Sequence, residues 1–226
     1  MGASRWRARR MVEKGMHHIT LYFHVVLRQQ ESYVFHSFTP PTQGLQRCVA
    51  GAVPFIQDDA QKPPLLLSES RAIARYLALR YSTSTGRNPM LVPDAGDFIG
   101  LAKFEEAASI ELTCFDAAAN PLVFEEYFKL RYSNRAADTE RCKALRERLN
   151  DVLTLLDNRL AGQQFMAGER SQTVTLVDFF YVPYMHYLAT HVWPSVLDGR
   201  QHLGAWWKMM QGRDSYRVVF GQQAAN

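Results

Sequence analysis

VPFIQDDAQKPPLLLSESRAIARYLALRY, residues 53–81, carries the local order on which the fold reading turns: strand, broken loop, short apolar strand, helix. Ala52 to Gln57 reads as a strand approached through Gly51, and Val53-Pro54 is a turn or sheet-edge signal, because proline cannot donate to a ladder. After the loop from Asp58 to Pro64, Leu65 to Leu67 forms a second short apolar run that leads directly into Ser68-Glu69-Ser70. The spacing then predicts a helix from Glu69 to Tyr81. Ile73, Tyr76, Leu77, Arg80 and Tyr81 fall at i, i+3, i+4, i+7 and i+8, and Ser68 is suited to cap the helix start.

Upstream, Ile19 to Tyr22 and Tyr33 to Phe38 read as strands, with room between them for a short helix over Val25 to Glu31; Pro40, Pro41 and Gly44 then break the chain. Downstream, Ser82 to Asp97 is polar and rich in turn-forming residues. Everything beyond it reads helical. Phe98 to Ala119 and Pro121 to Tyr132 have helical spacing, and Arg141 to Leu160 places Leu145, Leu149, Val152, Leu156 and Leu160 on one stripe. Thr175-Leu-Val-Asp178 is a capping box, in which the hydroxyl accepts from the Asp178 amide and the carboxylate reaches back to the Thr175 amide. Val174 and Phe179 stand at hydrophobic-staple positions, and such a start contributes about 1 kcal/mol. Pro183 is expected to kink the helix it sits in. A last amphipathic helix near Leu203 to Gln211 carries Trp206, Trp207 and Met210.

The fold class is therefore an α/β domain followed by an all-α one. Residues 1–16 read as a basic, disordered extension, 17–82 as the α/β domain, 83–96 as the linker and 97–226 as the helical domain. A chain of 226 residues, 47% hydrophobic and 21% charged, can build cores for two small domains. No stretch approaches the length of a membrane span. The three cysteines, Cys48, Cys114 and Cys142, are too widely spaced for a disulfide framework or a CxxC motif, which favours a reducing, cytoplasmic setting. The formal charge of +4 arises mainly from Arg5, Arg7, Arg9, Arg10 and Lys14, so the body is near neutral and no nucleic-acid or membrane partner is expected. The basic start can be a disordered tail, an over-extended start with Met11 or Met16 as initiator, or a mitochondrial targeting segment.

Together, the segments Val53 to Ile56, Leu67 to Leu77, Phe165-Met166-Ala167-Gly168, Thr175 to Asp178 and Trp206-Trp207-Lys208 resemble the glutathione transferase family, especially its phi-like members in plants and fungi. The resemblance implies a thioredoxin-like first domain and an all-helical second. It also implies a cis Pro54, glutathione as co-substrate, hydrophobic electrophiles as acceptors, detoxification as the role and a homodimer. The helix near Phe104 to Asp116 then walls the electrophile pocket. Glutathione would be held by Val53, Pro54, Glu69 and Ser70, with no metal.

That assignment also makes chemical sense residue by residue. A helix N-terminus offers unpaired amides and the positive end of its dipole to a carboxylate, Ser70 adds a hydroxyl in the first turn, and Glu69 accepts from an ammonium. A strand ending in proline can present the Val53 amide and carbonyl to a peptide. Read without the resemblance, Glu69 and Ser70 serve equally as a helix-start charge and cap. Thr175 and Asp178 are structural, Arg71 and Arg75 form a solvated face or subunit contact, Trp206 and Trp207 are core anchors, and His186, His191 and His202 sit at helix surfaces or in ordinary packing.

The catalytic part of the pattern is missing. Phi-like relatives use a serine in the loop after the first strand to hold the thiolate. Here Leu21-Tyr22 runs straight into Phe23-His24-Val25, and no serine, threonine or cysteine occurs from Tyr22 to Glu31. Tyr22 is the weak substitute candidate. Ala52 and Val49 also replace the glutamine or lysine and the proline usual in the family. Either an exon is missing from the gene reading, which the basic prefix favours, or the scaffold has outlived the reaction. A conjugating enzyme, a non-catalytic ligand-binding protein and a protein-interaction module are the three resulting readings.

Overall fold

The two apolar runs flanking Pro63-Pro64 pair with each other. β1 (Phe55–Asp58) and β2 (Leu65–Ser68) run antiparallel in the register Phe55↔Ser68, Ile56↔Leu67, Gln57↔Leu66 and Asp58↔Leu65. The computed structural model describes residues 55–58, 61–82, 91–167 and 173–221. The chain divides into two compact units, one of Met1–Asn88 with Val218–Asn226 and the other of Pro89–Arg217. The extension 1–16, the strands and short helix expected before Ala52, and Pro54 lie outside the described residues. Within them, the Lys62-Pro63 bond is cis.

Helix α1 (Ser70–Ser82) starts one residue later than predicted. The Ile73 amide donates to the Glu69 carbonyl at 2.9 Å, so Glu69 occupies the cap position, while Ser68 belongs to the ladder. Ile73, Ala74, Leu77 and Ala78 are buried, and Ile73 and Leu77 form a small core with Ile56, Leu67 and Tyr76. Arg80, expected on the apolar stripe, is half-buried for another reason. Its Nε lies 3.3 Å from Asp58 Oδ2, and the Tyr76 hydroxyl donates to the same oxygen, closing β1 onto α1. Burial, then the hydrogen bond to Asp58, pushes the Tyr76 phenol above its ordinary range. Arg71 and Arg75 are half-buried rather than a solvated face.

In the second unit, Asp97 caps α2 (Phe98–Ile110), its Oδ1 accepting from the Gly100 amide at 2.9 Å. A Cβ on Gly100 would lie 2.2 Å from Asp97 Oδ2, which explains the glycine in the first turn. The helical path continues through a π turn at Glu111–Asp116, α3 (Ala117–Val123), a second π turn at Phe124–Phe128 and α4 (Lys129–Ser133). The break expected before Pro121 does not occur. Pro121 lies inside α3 with a widened turn on either side.

Helix α5 (Thr139–Leu160) buries Cys142, Leu149, Leu153, Leu156 and Leu160. Leu145 and Val152, placed on the predicted stripe, are only half-buried. Helix α6 (Leu176–Tyr187) carries Pro183 within it and passes into a π turn at Leu188–Val192. Helix α7 (Gln201–Gln211) buries Leu203, Trp206, Trp207 and Met210 as expected, and α8 (Asp214–Phe220) is an element with no sequence-based expectation.

Asp178 organises this unit. The reciprocal box with Thr175 forms, with the Thr175 amide donating to Oδ2 at 2.9 Å and its hydroxyl to the same oxygen at 3.1 Å. The other oxygen, Oδ1, accepts from the Met166 amide and from Trp206 Nε1, each at 2.9 Å. The carboxyl is fully buried. Burial pushes its pKa up while the donors pull it down.

A second carboxylate knot lies at the π turn before α4. Glu125 is 3% exposed and accepts from Lys129 Nζ at 2.6 Å, the Asp138 amide at 3.2 Å and Arg141 Nη1 at 3.3 Å. Beside it Glu126 pairs with Arg146, whose Nε donates at 3.0 Å and whose Nη2 also donates to the Val192 carbonyl at 2.9 Å. The hydrogen bond from Lys129, then the Asp138 amide, hold the Glu125 carboxyl below its ordinary range.

Asp178→Ala should cost about 3 kcal/mol or more in chemical denaturation, because buried donors left unpaired cost about 1–3 kcal/mol each. A loss near 1 kcal/mol would mean the box acts only as an ordinary cap. Glu125 gives a pH prediction. Its folded-state carboxyl binds a proton less readily than in the unfolded chain, so its stabilisation is complete above the ordinary carboxylate range and is lost as pH falls through the lowered value. Between about pH 5 and pH 3 the stability of Glu125→Gln should therefore fall less steeply than that of the parent chain, and parallel curves would contradict the assignment.

Candidate functional site

The site candidate in the first unit is built by the junction of β2 and α1. The ladder begins at Phe55↔Ser68, so the first residue of β1 stands opposite the last residue of β2, and a single residue separates that pair from the helix. That residue, Glu69, has φ of 70°, the left-handed region, where side chains other than those of Gly, Asn and Asp are uncommon. An ordinary cap residue is extended. The positive φ turns the chain from strand to helix within one step and leaves the Glu69 side chain exposed, engaging no described residue. Ser70 follows as the first helical residue and is half-buried.

The chemistry at this mouth follows from helix geometry. The Ile73 amide is taken by the Glu69 carbonyl, and the amides ahead of it in a first helical turn have no carbonyl of the helix ladder to meet. They form a positively polarised end beside an exposed carboxylate and a hydroxyl. Such a pairing suits a zwitterion, with the amides and hydroxyl for its carboxylate and Glu69 for its ammonium. Of the residues singled out in the sequence, Glu69 and Ser70 are thus brought together, whereas Val53, Pro54 and Tyr22 lie outside the described residues. Among the described residues no group of His, Cys, Asp and Glu side chains could hold a metal ion. No helix among them is long and apolar enough to cross a membrane.

Residues that reading missed are the ones that position this junction. Asp58, Tyr76 and Arg80 hold β1 to α1, and the i, i+4 spacing of Tyr76 and Arg80 was the available signal. In the second unit, Thr175 and Asp178 stand as the buried box described above, and Trp206 is more than a packing anchor because its indole donates to Asp178. His186 is buried, with Nδ1 2.8 Å from the Tyr216 hydroxyl.

Residues 122–214 match the glutathione S-transferase C-terminal domain. The chain is 33% identical over 177 residues to glutathione S-transferase PM239X14 of Arabidopsis thaliana, which covers 78% of this chain and 73% of the relative. The chain belongs to the glutathione S-transferase family. Its plant relatives place it with the phi-like members. Glutathione transferase F7 from Populus trichocarpa has the same fold, with a TM-score of 0.75 at 23% identity over 94% of this chain and 96% of that one. Glutathione S-transferase I bound with lactoylglutathione gives a TM-score of 0.73 at 24% identity over 92% and 93%. The fold is therefore the family's, a thioredoxin-like domain followed by an all-helical one.

The Glu69 backbone supplies a test within the first unit. Glu69→Gly should raise stability by about 0.5–1 kcal/mol relative to Glu69→Ala, because only glycine removes the Cβ clash of the left-handed region. Equal melting temperatures for the two variants would show that no strain is stored there.

Proposed function

We propose that this glutathione S-transferase family member binds glutathione at the α1 mouth and conjugates its thiolate to hydrophobic electrophiles, as a detoxification enzyme. The observation that carries the reading is the exposed Glu69 carboxylate, engaging no described residue and set in a left-handed turn directly before Ser70. In this reading the γ-glutamyl carboxylate sits on the Ser70 amide and hydroxyl, its ammonium meets Glu69, and the peptide pairs with Val53 before Pro54. The thiolate sulfur then forms a bond to the electrophilic carbon as the leaving group departs. Tyr22 is the candidate donor that holds the thiolate. The ligand chemistry of a structural neighbour, glutathione S-transferase I with lactoylglutathione, supports a glutathione-type ligand. A homodimer in a cytoplasmic setting completes the proposal, with mitochondrial targeting by the arginine-rich start as its alternative.

A second reading rests on one specific observation, the absence of serine, threonine and cysteine from Tyr22 to Glu31. In it the chain keeps the binding site and has lost the transfer step. Retention of Glu69-Ser70 speaks against a pure interaction module.

Two measurements separate these readings. The full chain should be retained on immobilised glutathione, and Glu69→Ala should weaken binding by roughly tenfold or more, the effect of losing one hydrogen bond between charged groups. Conjugation of a chromogenic aryl halide should proceed above the uncatalysed rate and fall in Tyr22→Phe. Retention without turnover selects the binding protein, and neither retention nor turnover selects the interaction module.

A further inference from the structure

Arg131-Tyr132-Ser133-Asn134-Arg135 is not among the residues to which the proposed function gives a role, and it is a surface segment. Every residue from Arg131 to Glu140 is exposed. Helix α4 stops at Ser133 because Asn134 takes a φ of 50°, and the chain then runs without regular structure to Asp138, which caps α5. The Ser133 hydroxyl donates to the Lys129 carbonyl at 2.6 Å, and Arg135 Nε stands 3.5 Å from the hydroxyl oxygen. Arg131 lies on the other side in sequence, its guanidinium carbon 4.3 Å from the centre of the Tyr127 ring. Two carboxylates near this segment are already engaged, Glu125 by Lys129, Arg141 and the Asp138 amide, and Asp138 by the Arg141 amide at 3.0 Å.

We infer that Ser133 is a phosphorylation site, taken by a protein kinase that selects arginine two residues before and two residues after the acceptor. In the step, the Ser133 oxygen attacks the γ-phosphorus of ATP. The new O–P bond replaces the bond from that phosphorus to the β,γ-bridging oxygen, ADP departs, and the hydroxyl proton passes to the kinase's base. An exposed hydroxyl at the end of a short helix, followed by an unstructured stretch, can be drawn into the extended form such an enzyme binds.

The consequence is local and physical. Phosphate removes the donor to the Lys129 carbonyl and sets negative charge at the negative end of the helix, which loosens the last turn of α4. It also draws the Arg135 and Arg131 guanidinium groups into charge-assisted hydrogen bonds. Arg131 then leaves the Tyr127 ring. That ring also stacks on His191, at 4.5 Å and 24°, so the change reaches the π turn that ends α6.

The full chain, incubated with ATP and the catalytic subunit of an arginine-directed serine/threonine kinase, should carry phosphate at Ser133 by peptide mass spectrometry. Ser133→Ala should abolish it and Ser133→Thr should retain it. Arg131→Gln and Arg135→Gln should each slow it by about tenfold, the scale of one lost charged contact. Exchange of the Asn134 amide, bonded to the Leu130 carbonyl at 3.1 Å, should quicken in the phosphorylated chain. Phosphate elsewhere only, or a rate indifferent to both arginines, would overturn the site. Unchanged exchange would overturn the loosening of α4.

Discussion

One buried carboxylate sets the architecture of the helical unit. Asp178 takes donors from its own helix start, from the segment that precedes it and from α7, so three stretches of chain are fixed against one side chain. Taking a carboxylate out of water costs several kcal/mol, and only a full set of donors offsets that cost. Each donor is itself buried, which makes the arrangement mutual. The acid needs the donors, and the Met166 amide and the Trp206 indole would otherwise have no acceptor. The buried apolar residues of the same helix, among them Leu176, Phe179 and Tyr181, add to the low-dielectric surroundings that make those bonds strong.

The first unit works by the opposite logic. Among the described residues its core is Ile56, Ile73 and Leu77 with Leu67 and Tyr76, and Asp58 fastens the hairpin to α1 through Tyr76 and Arg80. At the helix mouth, however, charge and strain are left unspent: Glu69 stands in a conformation that side chains avoid, with its carboxylate free of described partners. Residues that fold a protein tend to satisfy one another, and a residue that does neither is a reasonable place to look for a ligand. The family to which the chain belongs gives that ligand its chemical class, and the proposed function rests there.

The second unit also carries an aromatic and ionic seam along α4, α5 and the end of α6. Glu125 and Glu126 are neutralised by Lys129, Arg141 and Arg146, while Tyr127, Tyr187 and His191 pack ring against ring. Two of the three π turns among the described residues meet here, at Phe124–Phe128 and Leu188–Val192. Widened turns re-aim side chains that an uninterrupted α-helix would direct elsewhere. Next to the seam, residues 131–140 around Ser133 are exposed.

Much of this was legible in the sequence because it is encoded at short range. The strand, loop, strand and helix order of residues 53–81, the Glu-Ser pair at the helix start, the Thr175 to Asp178 box and the last tryptophan-bearing helix all follow from spacings of two to four residues, which local sterics and side chain to backbone bonds decide. What the sequence left undecided depends on residues distant along the chain. Trp206 lies 28 positions from the carboxylate it serves and Met166 lies 12. Helical spacing puts Arg80 on an apolar stripe because its partner Asp58 sits across a hairpin, and Pro121 reads as a break because the π turns flanking it leave no periodic trace. The left-handed turn at Glu69 belongs to the same class. Nothing in the letters Ser-Glu-Ser demands it, and only a strand and a helix packed at a fixed angle, with one residue between them, force the backbone there.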